Sequence, residues 1–463
     1  MSQDLLDAGG LYGATAPEDR QRVAVRNGNV PVAVYGLGKI GLPLASVFAE
    51  VTGSTVGVDV DRQVVDSVND GDCPVEREPG LPSLLREVVG QGALRATTDG
   101  EAAADVAEVH VVIVPTLLTA GGEPDLSMLE AAVETVGVGL SPGDLVVVES
   151  TVPPRTTADV VVPRLAAVSG LDPTEFGAAA CPERTLSGQA IADIRGTHPK
   201  VVGGVDAEST RVARLLYEEV VDNEVIPAAS ATMAEAVKVF EGVYRDVNIA
   251  IANQLARYAP ALDVDTRRAI EIANTQPFCD ILDPGPGVGG HCIPVYPSFL
   301  TAAFETEESL LSAARETNDA MPAFTVSMLE AMLEESGRDL SAATVLLLGV
   351  TYRANAADLH NAPALAIADR LRDRGATVRA ADPLVDDWDA VQGVEGVPVV
   401  DAPARAADAV VLVTPHDEFD TYDWGDFAAP ILDGRAAIEE PPPEATVYTL
   451  GDACPECGAD AIN

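Results

Sequence analysis

Lysine is nearly absent from this chain of 463 residues. It occurs only at 39, 200 and 238, and arginine supplies the other 26 cations. Positive charge as a whole is scarce: 29 basic residues face 73 acidic ones, a formal net charge of −44 at pH 7. A surface of that sign repels a phosphate backbone, which argues against nucleic acid as a partner. The acids are scattered, as in Glu305-Thr306-Glu307-Glu308 and Asp386-Asp387, rather than gathered in one tail. Such a surface suits solubility in high salt, where screening removes much of the self-repulsion, so a halophilic protein is expected. Long apolar runs are missing too. None approaches the ~20 residues that cross a bilayer, so no membrane partner is expected. The first 30 residues carry Asp4, Asp7, Glu18 and Asp19 without the basic-then-apolar order of a signal peptide. Cysteines at 73, 181, 279, 292, 454 and 457 do not form a dense disulfide framework. That favours a reducing, cytoplasmic location.

What is present points to a globular chain, 47% hydrophobic and long enough for roughly three domains. Its most unusual stretch is Cys279 to Pro297, where Gly285, Gly287, Gly289 and Gly290 precede His291 and a lone thiol, Cys292. The glycines let the chain approach a ligand closely, and Pro284, Pro286, Pro294 and Pro297 stiffen it. Taken alone, the stretch reads equally as a nucleophile's mount or as a tight turn with an incidental cysteine.

The clearest local signal lies near the start. Pro31–Tyr35 reads as a buried strand, Gly36-Leu-Gly38-Lys-Ile40-Gly41 as a glycine turn opening an apolar helix, and Thr55–Asp59 as a second strand ending in an acid. This is the dinucleotide-binding fingerprint. Gly36 allows the turn, Gly38 lets a pyrophosphate approach, and Gly41 lets the helix pack against the strand. The helix N-terminus faces the phosphates. Asp59 accepts both ribose hydroxyls and repels a 2′-phosphate, so NAD rather than NADP is the expected cofactor.

Later strands at 109–114 and 145–148 end in Pro115-Thr116 and Glu149-Ser150-Thr151. In doubly wound sheets the carboxyl ends of strands line the ligand crevice, although Thr116 and Thr151 could also simply cap helices or turns. Strands at 178–181 and 201–202 follow, the first ending near Pro182-Glu183-Arg184. From Ser230 to Tyr258 no proline interrupts a helical pattern, with Thr232 and Glu235 as a capping box and Pro260 just past the end. Such a helix should bridge domains or subunits, so a homodimer through 230–258 is expected. Lys238, Gly242, Arg245 and Ile249 share one face by spacing, and Lys238 is either a solvated charge or a chemical group. A second α/β unit follows, with strands at 344–348, 377–381 and 409–413 and a helix at 362–374. Only Gly349 follows its first strand, so it binds part of a nucleotide or serves structure. Cys454 and Cys457 close the chain as one CxxC. A structural zinc needs four ligands, so no metal site is expected.

Together these motifs resemble the UDP-glucose/GDP-mannose dehydrogenase family over about Val32 to Phe419. The resemblance rests on Gly36–Pro43, Glu149–Pro154, Cys181-Pro-Glu-Arg184, the helix around Lys238, Gly285–Pro294 and Gly349-Val-Thr-Tyr-Arg353. Cys-Pro-Glu-Arg, Tyr244–Ala250 and Gly-Gly-His-Cys-Ile-Pro look most like the branch acting on 2-acetamido sugars, such as UDP-N-acetylmannosamine. The resemblance implies an α/β fold with two Rossmann-like doubly wound domains joined by a helical middle domain with a long central helix. The expected divisions are an N-terminal extension at 1–30, an NAD domain at 31–227, a helical middle at 228–335, a UDP-binding domain at 340–450 and a CxxC tail at 451–463.

By that resemblance the chain is an NAD-dependent UDP-sugar 6-dehydrogenase that oxidises the C6 alcohol twice, through a thioester on Cys292. Lys238 stabilises oxyanions, Glu183 is the acid/base or orients water, and Thr116 positions that water. Gly36, Gly38, Ile40, Gly41, Asp59, Arg62, Thr116 and Thr151 hold the cofactor. Arg184, Arg245, Gly287, Gly289, Gly290, His291, Tyr352 and Arg353 meet the UDP-sugar. Three positions depart from the family pattern: Tyr296 replaces an Asp, Gly242 an Asn and His360 an Arg. UDP-glucose as the substrate, a weakened paralogue that binds NAD and UDP-sugar as a regulatory partner, and a one-step alcohol dehydrogenase are the alternatives.

Overall fold

The computed structural model describes residues 10–452 except 187, 305–308, 440, 442, 444 and 445. The acidic run at 305–308 and the CxxC pair therefore lie outside the described residues. Two compact units emerge. One holds the described residues up to Glu241 with Ser298–Ala303, and the other holds Gly242–Pro297 and the residues from Phe304 on. The boundary between them falls inside the long helix of the expected middle domain at 228–335.

The first unit is built on an eight-stranded sheet: β1 (Val32–Tyr35), β2 (Thr55–Val58), β3 (Leu94–Thr97), β4 (Val109–Val112), β7 (Leu145–Val148), β8 (Gly177–Ala180), β9 (Lys200–Gly204) and β10 (Val225–Pro227). A small antiparallel pair, β5 (Leu117–Leu118) and β6 (Pro124–Asp125), stands apart from it. The order is β3-β2-β1-β4-β7-β8-β9-β10, with β8 and β9 antiparallel and the other neighbours parallel. β1, β2, β4 and β7 are buried along their whole length, as strands covered by helices on both faces must be. Strand order reverses between β1 and β4, which makes their carboxyl ends the place for a ligand.

From residue 10 the N-terminal stretch belongs to this unit, which corrects its reading as a polar extension. Leu11, Ala24, Val25 and Val30 are buried in the core. The helix Glu18–Arg26 buries Gln21, Ala24 and Val25 on one face, and Arg22 pairs with Glu218 and Glu219. Tertiary burial of a short apolar stripe outweighs the polar composition.

The long helix runs Ala231–Leu262, one turn beyond expectation. Pro260 sits inside its last turn, and Asp263, with φ +54, ends it in the left-handed region. The capping-box reading is also corrected. Ser230 Oγ accepts from Met233 N, while the buried Glu235 carboxylate accepts from Arg155 N, Thr157 N and Thr157 Oγ1.

The second unit carries a six-stranded parallel sheet: β11 (Thr344–Leu348), β12 (Thr377–Ala381), β13 (Glu395–Gly396), β14 (Ala409–Leu412), β15 (Ile431–Asp433) and β16 (Val447–Thr449). Its order, β13-β12-β11-β14-β15-β16, repeats the reversal of the first sheet. Gly36 after β1 and Gly349 after β11 take matching roles. Both have positive φ, and a Cβ on them would lie 2.4 Å from the Ile113 carbonyl and 2.1 Å from the Thr414 carbonyl.

Candidate active site

The cofactor fingerprint of the first unit takes the expected shape. A Cβ at Gly41 would lie 2.0 Å from the Gly36 carbonyl, so the helix Gly41–Thr52 can start this close to the turn only with glycine there. The space over Gly38 is open, with nothing within 4 Å of a built Cβ. Ile40 is the residue before this helix, and Arg62 is exposed at the start of the helix Arg62–Asp70. Asp59 accepts from Leu37 N through Oδ2 at 2.8 Å and from Asp61 N through Oδ1 at 2.9 Å. Each oxygen keeps acceptor capacity for a ribose hydroxyl. Open space over a glycine turn, a helix N-terminus and an anchored carboxylate with spare lone pairs together fit NAD. Val60, next to Asp59, is 98% exposed. Sequence reading passed over it, because an apolar residue at a strand end looks like core.

At the carboxyl ends of β4 and β7 the chain brings Thr116 and Thr151 together, with Thr116 Oγ1 donating to the Thr151 carbonyl at 2.6 Å. Thr116 is held by a tertiary bond rather than as a helix cap. Glu183 Oε1 lies 3.3 Å from Lys238 Nζ, and its Oε2 accepts from Thr185 N at 2.6 Å. Both side chains are largely buried, so screening weakens this pair less than an exposed one. Lys238 is therefore not a solvated charge. Arg184 donates to the Pro199 carbonyl and pairs with Glu241.

A buried cluster under this strand end escaped the sequence reading. Lys200 Nζ bonds both oxygens of Glu149 at 2.8 and 2.7 Å and the Cys181 carbonyl at 2.6 Å, and Tyr217 Oη donates to Glu149. Burial lifts the Glu149 carboxyl, and Lys200 and Tyr217 oppose that rise. The signal was available: the lysine scarcity that singled out Lys238 applies equally to Lys200.

In the second unit the glycines of the Cys292 loop are required by packing. A Cβ at Gly285 would lie 2.4 Å from Arg435 Nη1, one at Gly289 2.7 Å from the Asn361 carbonyl, and one at Gly290 2.8 Å from the Tyr352 ring. Gly287 has φ +149, and its Cβ would press on Pro363 at 3.0 Å. Arg267 donates to the Pro284 carbonyl at 2.7 Å. Arg435 donates to the Val413 carbonyl and, at 3.4 Å, to the Gly287 carbonyl of the loop, and burial pulls its guanidinium down to about 10, still charged at neutral pH. These two arginines hold the loop and were missed because they lie far from it in sequence. Cys292 itself is exposed. His291 meets Asp358 Oδ2 at 3.2 Å and stacks on His360, ring centroids 4.0 Å apart. Burial, together with the facing His291, lowers the basicity of His360. Arg245 is exposed on the long helix, and Arg353 follows Tyr352 in the turn after β11.

The acid ending β12 is not a second ribose site. Asp382 Oδ2 accepts from Val350 N and Thr351 N, with Thr351 Oγ1 and His416 Nε2 also in reach, and Oδ1 accepts from Leu384 N. These contacts crowd Oδ2, and the side chain is buried, unlike that of Asp59. Burial raises the Asp382 carboxyl, but the bonds and charge supplied by His416, Thr351 and Val350 outweigh it, and the net position is below the usual range.

Family models match in chain order: the UDP-glucose/GDP-mannose dehydrogenase NAD-binding domain over residues 30–221, the central domain over 232–320 and the UDP-binding domain over 346–440. The chain belongs to the UDP-glucose/GDP-mannose dehydrogenase family. It is an NAD-dependent nucleotide-sugar dehydrogenase. Among family members, UDP-N-acetyl-D-mannosamine dehydrogenase of Pyrococcus horikoshii is 36% identical over 89% of this chain and 96% of its own. An NDP-N-acetyl-D-galactosaminuronic acid dehydrogenase of Ralstonia nicotianae is 35% identical over 85% and 92%. The solved P. horikoshii UDP-D-ManNAc dehydrogenase superposes with a TM-score of 0.83 at 35% identity, covering 91% of this chain and 99% of that one. A UDP-glucose dehydrogenase of Pyrobaculum islandicum superposes equally well, TM-score 0.83, at 27% identity over 92% and 98%.

Proposed function

We propose that this family member oxidises the C6 alcohol of UDP-N-acetylmannosamine to the uronate in two steps, through a thioester on Cys292. The observation that carries the covalent step is the exposed thiol at the end of a loop whose glycines and two half-buried arginines hold its backbone. The sugar is argued from the relatives named above. NAD, bound at the Gly36–Gly41 turn and Asp59, serves as the two-electron acceptor and is taken twice per sugar.

The residues divide the work as follows. The alcohol loses two electrons and two protons and becomes an aldehyde. The Cys292 thiol adds across the carbonyl to give a thiohemiacetal, which loses two further electrons and two protons to become the thioester. Water replaces sulfur at the acyl carbon, releasing the carboxylate and the thiol. Lys238, a point charge, stabilises the oxyanions. Glu183 accepts the proton of the attacking water, which Thr116 helps to place. Thr151, Ile40 and Arg62 contact the cofactor, and exposed Val60 gives its adenine an apolar seat. Arg184, Arg245, Gly287, Gly289, Gly290, His291, Tyr352 and Arg353 form the UDP-sugar contacts.

The long helix carries an exposed apolar series, Met233, Phe240, Tyr244, Ile251, Tyr258 and Leu262. We assign it to a homodimer, testable by light scattering of the wild type and a Phe240→Glu/Tyr244→Glu variant. The charge of −44 supports a halophilic protein, and the reducing compartment is the cytoplasm. No helix among the described residues is long and apolar enough to cross a membrane.

The deciding experiment supplies purified protein with NAD and a panel of UDP-sugars. Two NADH per UDP-N-acetylmannosamine, abolished by Cys292→Ser, is the expected result. Preference for UDP-glucose would change the substrate. One NADH would make it a simple alcohol dehydrogenase, and ligand binding without NADH would make it a binding paralogue.

A further inference from the structure

The buried cluster at the end of β7 and β8 has no part in the chemistry so far. Glu149 is fully buried, and Lys200 has a side chain only 12% exposed. Such an ion pair is a poor source of stability, since two desolvated charges repay their cost only with excellent geometry, and an apolar pair of similar volume often does as well. Its bonds point elsewhere. The third direction of the Lys200 ammonium is taken by the Cys181 carbonyl at 2.6 Å, with the Pro182 carbonyl at 3.4 Å. Those are the last two carbonyls before Glu183. Glu183 N in turn donates to the Glu149 carbonyl at 3.3 Å, and Cys181 N to the Val148 carbonyl at 2.9 Å.

The topology explains how a distant lysine arrives there. β9 runs antiparallel to β8, pairing Ala179 with Gly204 and Ala180 with Gly203, so the first residue of β9 lies near the carboxyl end of β8. Tyr217, on the helix Ala207–Val220, closes the cluster by donating to Glu149 while its ring lies under the Lys200 ammonium at 4.6 Å. The backbone of Glu183 is thereby tied on the strand side, while its carboxylate is tied by Lys238 and Thr185 N.

We infer that Lys200 and Glu149 are positioning residues for Glu183: they fix the Cys181-Pro182-Glu183 exit from β8 so that its carboxylate stays where Lys238 and Thr185 N hold it. The inference rests on the proposed role of Glu183 in hydrolysing the Cys292 thioester. Among the charged groups here, only Lys238 and Glu183 touch the reaction. Lys200 and Glu149 act through the backbone between them.

The test uses the full-length enzyme with NAD and the UDP-sugar it oxidises, in rapid-quench experiments read by NADH release and by intact mass of the Cys292 acyl adduct. Lys200→Met alone leaves a buried carboxylate without its cation, which threatens folding. Lys200→Met/Glu149→Gln removes both charges together, and its melting curve verifies folding. We expect this double variant to release its first two NADH at close to the wild-type rate, to hydrolyse the thioester about tenfold more slowly and to accumulate the adduct. Glu183→Gln gives the same signature, and adding it to the double variant slows hydrolysis little further, as for groups acting through one residue. A folded double variant with unchanged hydrolysis overturns the inference. So does one that slows the NADH burst as much as hydrolysis, or that multiplies its loss with Glu183→Gln. If Glu183→Gln of an otherwise active enzyme builds up no adduct, the reading of Glu183 fails first and takes this inference with it.

Discussion

A Cβ placed on Gly242 would lie 2.1 Å from Cδ2 of Tyr296, whose ring is buried against that helix backbone. Two of the three departures from the family pattern are thus one event: the ring at 296 occupies the space that a side chain at 242 would need. Tyr296 N donates to the Cys292 carbonyl at 3.0 Å, so the pair sits one turn from the thiol. The third departure is also packed, with His360 stacked on His291.

Restoring the family amide alone should therefore harm the protein. Gly242→Asn forces a buried ring to move, and overpacking of this kind costs about 1–3 kcal/mol. Gly242→Asn/Tyr296→Asp removes the collision and should recover most of the loss. Urea unfolding of both variants checks this; equal stability of Gly242→Asn and wild type would contradict the packing.

Loss of the charge proposed to stabilise the oxyanions should be severe. Lys238→Met is expected to reduce kcat by about 10²–10³, the usual effect of removing one such group. Lys238→Arg should recover little of it, since a planar fork does not replace a point charge 3.3 Å from Glu183. Steady-state kinetics at saturating NAD would show it.

Asp59→Asn places an amide donor against either Leu37 N or Asp61 N, each now bonded to one carboxylate oxygen. KM for NAD should rise about tenfold, roughly one hydrogen bond to a charged group. Discrimination against NADP should fall, and kcat should change little. A variant with wild-type KM would remove Asp59 from the ribose site.

Glu108 supplies a pH-dependent test of the core. Burial and the nearby Asp144 push its carboxyl up to about 7, and Oε2 has no hydrogen-bond partner among the described residues. In the unfolded chain it ionises at its ordinary value, well below that. Between the two values the folded state holds the extra proton, so stability falls as pH rises toward 7. Glu108→Gln should melt higher than wild type at pH 8, with the gap closing by pH 5. Melting curves at the two pH values decide it, and a gap independent of pH would count against the shift.

Screening offers the last test. At −44 the surface repels itself, and salt shortens the range of that repulsion to ~3 Å near 1 M. The melting temperature should climb with KCl. A flat response would refute the halophilic reading.

Local pattern carried much of this protein. Strand, glycine turn, helix and acid from Val32 to Asp59 are neighbours in the chain, so the NAD site was legible from spacing alone. The family motifs likewise singled out Cys292, Lys238 and Glu183 as candidates. Other relationships join residues far apart in sequence. Glu149 and Lys200 meet only because β9 runs antiparallel to β8, and Gly242 and Tyr296 only because a ring fills the place of a missing side chain. Leu11 and Val25 became core through burial that polar composition hid, and Asp382 was withdrawn from ligands by burial and by the bonds from Val350 N and Thr351 N to its Oδ2. Sequence by itself determined the chemistry the chain carries, because motifs are local. Which groups are free to act was decided by tertiary structure, because hydrogen-bond capacity and space are shared among residues that only the fold brings together.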